Sequence, residues 1–169
     1  MCFGGNMNNL MRTGIGFDAH PLKAGRKLVL GGVEIPYAKG LDGWSDADAL
    51  THAIMDALLG AASLGDIGVY FPPGDKSIKD MSSLIMLARV KGMLAAKGWQ
   101  IGNIDATVVA EKPRLREHIE AIRNKLSGAL GIAAEFISVK ASTANGLGAV
   151  GREEGIMVYA TALIEKEKA

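Results

Sequence analysis

Hydrophobic and polar positions along the chain change period several times, and each change marks an element. Residues 12–18 read as a strand, and residues 27–30 with 33–35 as a second, interrupted at Gly31-Gly32. Pro36 to Gly43 reads as a loop. Leu50, Ile54, Ala57, Leu58 and Ala61 then recur at helical spacing and predict an apolar stripe. Ser45 can cap this helix, with Asp48 three residues on in the capping-box position. Asp48, His52 and Asp56 recur every four residues and so line a different face. Gly65 to Lys79, rich in Gly, Pro and Asp, predicts a long loop. A second helix is expected from Met81 to Lys97, with Asp80 as cap and Gly98 as stop. Ile104 to Ala110 reads as a strand, and Pro113 opens a third helix whose Leu115, Ile119, Ile122 and Leu126 keep helical spacing. Phe136 to Ala141 is a strand, Gly146 to Gly151 a glycine loop, and Gly155 to Ile164 a final strand. This order predicts an α/β layer of the α+β type. A mixed sheet of about four strands carries its helices on one face, and a doubly wound parallel sheet does not fit.

The length of 169 residues suits one domain, and a chain of this size buries roughly 70% of its unfolded surface. Nearly half the residues are apolar, enough for a full core without disulfides. Lys and Arg number 19 against 18 Asp and Glu, and no basic stripe stands out. That balance disfavours nucleic-acid binding, which rests mostly on phosphate neutralisation. The single cysteine, Cys2, has no internal partner, which fits a reducing compartment. No apolar run approaches the ~20 residues of a membrane helix. The longest, GIMVYATALI from Gly155 to Ile164, is too short. The start, MCFGGNMNNL, lacks the basic region and apolar core of a secretion signal. Residues 1–10 are expected to form a disordered extension, with Met11 beginning a single domain over 11–169. The lack of a transit segment favours a bacterial cytoplasm, and a processed plastid form would read the same.

Chemistry concentrates on two of the three histidines. Residues i and i+2 of a strand point the same way, ~6.6 Å apart, so Asp18 and His20 can converge on one ion. His52, from the first helix, would complete three N/O ligands and leave a tetrahedral position open, as in a catalytic zinc site. Asp48 or Asp56 could orient His52 through its other nitrogen. Spacing alone leaves a plainer reading open, in which Asp-x-His is an accident and His52 a partly buried helix residue. His118, beside Arg116 and Glu117, reads as solvated. Gly146, Gly148 and Gly151 spell G-x-G-x-x-G, yet the fingerprint needs a following helix and a later acidic residue in a further strand. Here REEGIMVYATALI reads as a strand, so a phosphate-approaching turn is the better reading, with Ser142, Thr143 and Arg152 adding donors.

The segments GIGFDAHPL, LVLGGVEIPYAKGL, SDADALTHAIMDALLGAASLGDIG, VVAEKPRL and VKASTANGLGAVGREEGI occur in this order. In that order the chain resembles the 2-C-methyl-D-erythritol 2,4-cyclodiphosphate synthases, from Met11 onward. The resemblance implies an enzyme of the non-mevalonate isoprenoid route, a phosphorus–oxygen lyase. Such an enzyme takes 4-diphosphocytidyl-2-C-methyl-D-erythritol 2-phosphate, closes its ring and releases CMP. The substrate's 2-phosphate attacks the β-phosphorus, so no protein nucleophile is needed. Positioning and charge neutralisation then carry the reaction.

The resemblance also implies residue roles. Asp18, His20 and His52 match zinc ligands, with Ala19 beside them at the substrate. Asp66, Ile67 and Gly68 match the segment that holds the erythritol unit, and Phe71 to Asp75 the neighbouring loop. Ala110, Glu111, Lys112, Pro113, Arg114, Leu115 and Arg116 match a backbone-lined cytosine pocket. Ser142, Thr143 and Ala144 match the loop at the diphosphate, Thr143 steadying the transition state, and Arg152 a phosphate contact. Three positions depart from the family. Trp44 stands where a histidine polarises the phosphate, although contacts at Trp44-Ser45 can survive. Asn145 stands where a glutamate binds a magnesium or manganese ion bridging the diphosphate, and offers only a neutral oxygen. Ala149 stands where an aromatic residue is common. The family further implies a homotrimer with shared active sites. These departures motivate a rival reading, a non-catalytic relative that binds zinc and nucleotides or isoprenoid phosphates.

Overall fold

The computed structural model describes residues 9–167, so what was expected of residues 1–8, including Cys2, lies outside them. A five-stranded sheet forms the frame, in the order β4-β1-β7-β5-β6. Its strands are β1 (Asn9–Ala24), β4 (Lys39–Leu41), β5 (Gln100–Val109), β6 (Ile137–Ser142) and β7 (Gly155–Glu167). Only β5 and β6 run parallel, which makes the sheet mixed. A separate hairpin pairs β2 (Leu28–Leu30) with β3 (Val33–Ile35). The mixed α/β layer is as expected, with five strands in the sheet against about four; the segment read as one interrupted strand over 27–35 is instead this hairpin, folded back at Gly31-Gly32 and outside the sheet.

The extra strand, β4, falls inside the expected Pro36–Gly43 loop. Its three residues, Lys-Gly-Leu, carry no strand pattern of their own, and pairing with β1 defines it. For the same reason β1 outruns the expected 12–18. It begins at Asn9, pairs with β7 as far as Pro21, then takes β4 as partner from Leu22.

Helix α1 (Ala49–Ala61) is the centre of the molecule. The expected stripe widens to bury Ala53, Met55 and Leu59 as well, leaving only Asp56 and Gly60 at the surface. Each fully buried leucine or isoleucine here contributes about 1.5–3 kcal/mol relative to exposure. Asp48, not Ser45, is the N-cap, accepting from the Thr51 amide at 3.0 Å. The expected capping box is thus corrected, because the Ser45 hydroxyl is occupied with the Ala47 amide and with His52. Two glycines let α1 lie on β1. A Cβ on Gly14 would stand 2.0 Å from the Ala57 carbonyl oxygen, and one on Gly16 2.0 Å from that of Ala53.

The short helix α2 (Ile67–Tyr70) lies in the Gly65–Lys79 segment. Helix α3 (Ser83–Ala96) starts later than expected, and Asp80 does not cap it. A residue far off in sequence does so, since the Asp46 carboxylate accepts from the Ser83 amide at 2.8 Å. Pro113 precedes a single turn at Arg116–His118, and α4 (Ile119–Leu130) follows, closed by left-handed Gly131. In the glycine loop, α5 (Gly148–Gly151) is one turn before β7. Helices α1 and α4 cover one face of the sheet, where Ile104, Ala106, Val108, Ile156, Val158 and Ala160 are buried, and α3 packs against both helices. The opposite face carries Met11, Ile15, Phe17 and Tyr159, exposed at 55%, 72%, 48% and 48%. That face is apolar and uncovered within one chain.

Candidate metal centre and active site

Along β1, Gly14, Gly16, Asp18 and His20 point to the same side. The glycines seat α1, and the next two residues of that row meet the helix's first turn, where His52 lies. The Asp18 Oδ2 stands 3.0 Å from His20 Nε2 and 3.0 Å from His52 Nδ1. The ligand atoms of these three side chains all lie within 4.8 Å of one another. Donors 2.0–2.1 Å from a tetrahedral ion stand about 3.3 Å apart, close to the separations at Asp18. Two imidazoles and one carboxylate therefore form a group that could hold a metal ion, built from the three residues the sequence singled out.

The outer nitrogens are occupied. His20 Nδ1 lies 2.8 Å from the Asp42 carbonyl oxygen. A carbonyl only accepts, so His20 donates from Nδ1 and turns the Nε2 lone pair inward. His52 Nε2 lies 2.9 Å from Ser83 Oγ and 3.3 Å from Ser45 Oγ. The expected orienting carboxylates do neither job. Asp48 is fully buried, accepting from Gly31 N, Gly32 N and Thr51 Oγ1 at 2.9, 2.7 and 2.7 Å. Its pKa is raised by burial, with the neighbouring Asp46 charge adding and the Thr51 and Gly31 donors opposing. Asp56 accepts from the Ile67 amide at 2.8 Å, which ties α2 to α1. Ser83 and Asp46 were missed, because nothing local in the sequence links the start of α3 to a histidine on α1.

Without metal, Asp18 and His20 hold each other's charge. Burial pushes Asp18 up, but hydrogen bonds and charge from His20 and His52 outweigh it and hold the carboxyl far below its ordinary range. Burial pulls His20 down, but Asp18, helped by the Asp42 carbonyl, outweighs it and raises the imidazole above 6.5.

The group opens into a cavity of about 190 Å³ shared with Trp44, Ser45, Ile67, Gly68 and Phe71, all singled out in the sequence. Pro73, Ile78 and Met86 complete an apolar wall. Trp44 is clamped to the loop above. Its Nε1 donates to the Asp75 carbonyl at 2.7 Å, and its own carbonyl accepts from the Asp80 amide at 3.1 Å. Asp75 caps Ser77, with Asp75 Oδ1 2.8 Å from the Ser77 amide, and Asp66 is exposed beside the cavity without lining it.

A second cavity of about 180 Å³ gathers Ala110, Glu111, Pro113, Arg114, Leu115, Arg116, Ser142 and Thr143. Lys112 turns away to Glu153, 2.9 Å distant. Glu111 Oε2 accepts from the Ala144 and Gly146 amides at 3.2 and 3.4 Å, and Thr143 Oγ1 lies 3.1 Å from Asn145 Oδ1. Arg152 pairs with Glu154 at 2.8 Å. A third cavity, about 350 Å³, lies between Ala19, His20 and Ala149. The first two cavities share no lining residue. Asp18 and Ala141 stand at the same level of the sheet but three strand steps apart, about 14 Å.

This fold and site define a class: an α/β sheet protein with a three-residue candidate metal group at the mouth of a partly apolar cavity. The chain belongs to the YgbB family, whose model matches residues 11–165. A Dehalococcoides mccartyi protein named 2-C-methyl-D-erythritol 2,4-cyclodiphosphate synthase is 57% identical over 157 residues, covering 93% of this chain and 100% of that one. Among solved structures, the CDP complex of IspF from Plasmodium falciparum superposes with a TM-score of 0.82 at 33% identity, covering 94% of this chain and 97% of that one. The bifunctional IspDF of Campylobacter jejuni matches with a TM-score of 0.91 at 36% identity; it covers 95% of this chain, which spans 43% of that longer one.

Proposed function

We propose that this chain converts 4-diphosphocytidyl-2-C-methyl-D-erythritol 2-phosphate to 2-C-methyl-D-erythritol 2,4-cyclodiphosphate, releasing CMP as a phosphorus–oxygen lyase. The observation that carries this reading is the convergence of Asp18, His20 and His52 beside a cavity, in a chain 57% identical to a protein named for that synthesis. An oxygen of the 2-phosphate attacks the β-phosphorus, and the bond to the CMP phosphate breaks with its electron pair leaving on that phosphate. Asp18, His20 and His52 would hold a zinc ion, which supplies Lewis acidity toward the diphosphate. The chain's own residues do the rest by positioning. Asp66 accepts from the erythritol hydroxyls, beside Ile67 and Gly68. Phe71 and Trp44 wall the sugar side. The Trp44 N–H is already committed to Asp75, so Trp44 serves as a wall and loop clamp rather than a phosphate donor. Thr143, with Ser142 and Ala144, faces the diphosphate, and Arg152 reaches a phosphate after leaving Glu154. The segment from Ala110 to Arg116 takes the cytosine.

A homotrimer completes the site in this reading, the metal cavity of one chain facing the cytosine pocket of a neighbour. The separation of the two cavities and the uncovered apolar sheet face support it. The setting is cytoplasmic, in keeping with the bacterial source of the 57% identical relative. A second cation, magnesium or manganese, binds weakly because Asn145 supplies a neutral oxygen. Metal-stripped protein reloaded with zinc, given the cytidyl substrate and magnesium, should release CMP, and an Asn145→Glu variant should reach half-maximal rate at several-fold lower magnesium. Zinc and substrate binding without any CMP would establish the rival reading of a non-catalytic relative. Equal magnesium dependence in the two proteins would remove the role given to Asn145.

A further inference from the structure

We propose that Ser83 and Asp46 are a positioning pair that fixes the tautomer of His52, so that it meets the cation through Nδ1. The inference rests on the metal reading above. Ser83 Oγ is hydrogen-bonded to the Asp46 carboxylate, and a carboxylate only accepts. The single hydroxyl proton of Ser83 is thereby committed to Asp46. Ser83 Oγ, 2.9 Å from His52 Nε2, is then an acceptor, and Nε2 must carry the hydrogen. Of the two ring nitrogens, Nδ1 is then the one free to give up its hydrogen, and it faces Asp18 Oδ2, 3.0 Å away, where the ion would sit. Asp46 cannot drift, because it also accepts from the amides of Ser83 at 2.8 Å and Asp48 at 3.2 Å. Backbone bonds from Asp46 to Met81 and from Asp80 to Trp44, at 3.2 and 3.1 Å, lock the two segments together. Ser83 is fully buried, and His52 is 6% exposed, so no water replaces the pair. Ser45 Oγ, at 3.3 Å and shared with the Ala47 amide, is the weaker acceptor. The two histidines would thus present opposite nitrogens to an ion: His20 Nε2, because Asp42 takes its Nδ1 hydrogen, and His52 Nδ1.

The test is zinc affinity of the metal-stripped full chain, by competition with a chromogenic chelator, alongside imidazole nitrogen NMR of the zinc-loaded protein. Ser83→Ala and Asp46→Asn should each weaken zinc about 10–100-fold, the usual effect of losing such a partner. Ser83→Thr, which keeps the hydroxyl, and Ser45→Ala should stay within about threefold of the parent. His52 should be metallated at Nδ1 in the parent and in a mixture in Ser83→Ala. Parent-like affinity in folded Ser83→Ala, or His52 metallated at Nε2 in the parent, overturns the proposal. If Ser83→Ala does not fold, Asp46→Asn decides: parent-like affinity there overturns the pair, and a loss beside intact Ser83→Thr sustains it. Failure of the parent to bind zinc would remove the metal reading and the pair together. Zinc binding as described without CMP release would remove only the reaction.

Discussion

Asp18 is shared by two imidazoles, and this gives the metal-free protein a pH response that the loaded protein should reverse. The His20 imidazole is raised above 6.5 in the folded chain. Its charged pair with Asp18 therefore stabilises fully below the unfolded value and fades as pH rises through the raised one. Asp18, held low, contributes above its ordinary 3.8 and loses that contribution only as pH falls through the depressed value. As pH rises above 6.5 the His20 contribution is lost, so stripped protein should melt lower at the alkaline end. Zinc binding requires neutral imidazoles, so added zinc should stabilise more as pH rises. Thermal melts with and without zinc, for the parent and His20→Gln, check this. A metal-free slope that His20→Gln leaves unchanged would count against the pairing.

Among elements, the contact of α1 with β1 determines whether the ligands meet at all. Gly16→Ala would push a methyl against the Ala53 carbonyl, 2.0 Å away, one residue from His52. The helix must shift, at a cost of about 2 kcal/mol or more. A lowered melting temperature together with zinc affinity reduced at least tenfold is the expected result. Unchanged zinc affinity would mean that α1 does not set the position of His52. These elements also show what was legible beforehand. The stripe of Leu50, Ile54 and Leu58, the strands at Ile104 and Gly155, and the Asp18–His20 spacing all follow from local periodicity. Strand β4 does not, since Lys39–Leu41 is a strand only because β1 is beside it. The caps were misread for the same reason. Asp48 looks like a capping-box partner, yet Gly31 and Gly32 reach it from the hairpin, and α3 takes its cap from Asp46. The grouping of Asp18, His20 and His52 was legible once motif was added to spacing, whereas Ser83 was not, because only tertiary packing brings it to His52.

For the whole molecule, the uncovered sheet face is decisive. Ile15, 72% exposed, lies opposite α1, beside Phe17 and Tyr159 whose rings stand 5.1 Å apart. An apolar face of this kind marks an association surface. Light scattering should give a trimer for the parent and smaller species for Ile15→Asp. The variant should keep its zinc, since one chain supplies all three ligands, and should lose CMP release. A monomeric parent with full activity would contradict shared sites. The proposed turnover depends on the metal group itself. Its most direct test is zinc stoichiometry after stripping and reloading, measured by elemental analysis on the parent and His20→Ala. One tightly held zinc per chain is expected in the parent and none in the variant; a full equivalent retained by His20→Ala would remove the ligand assignment.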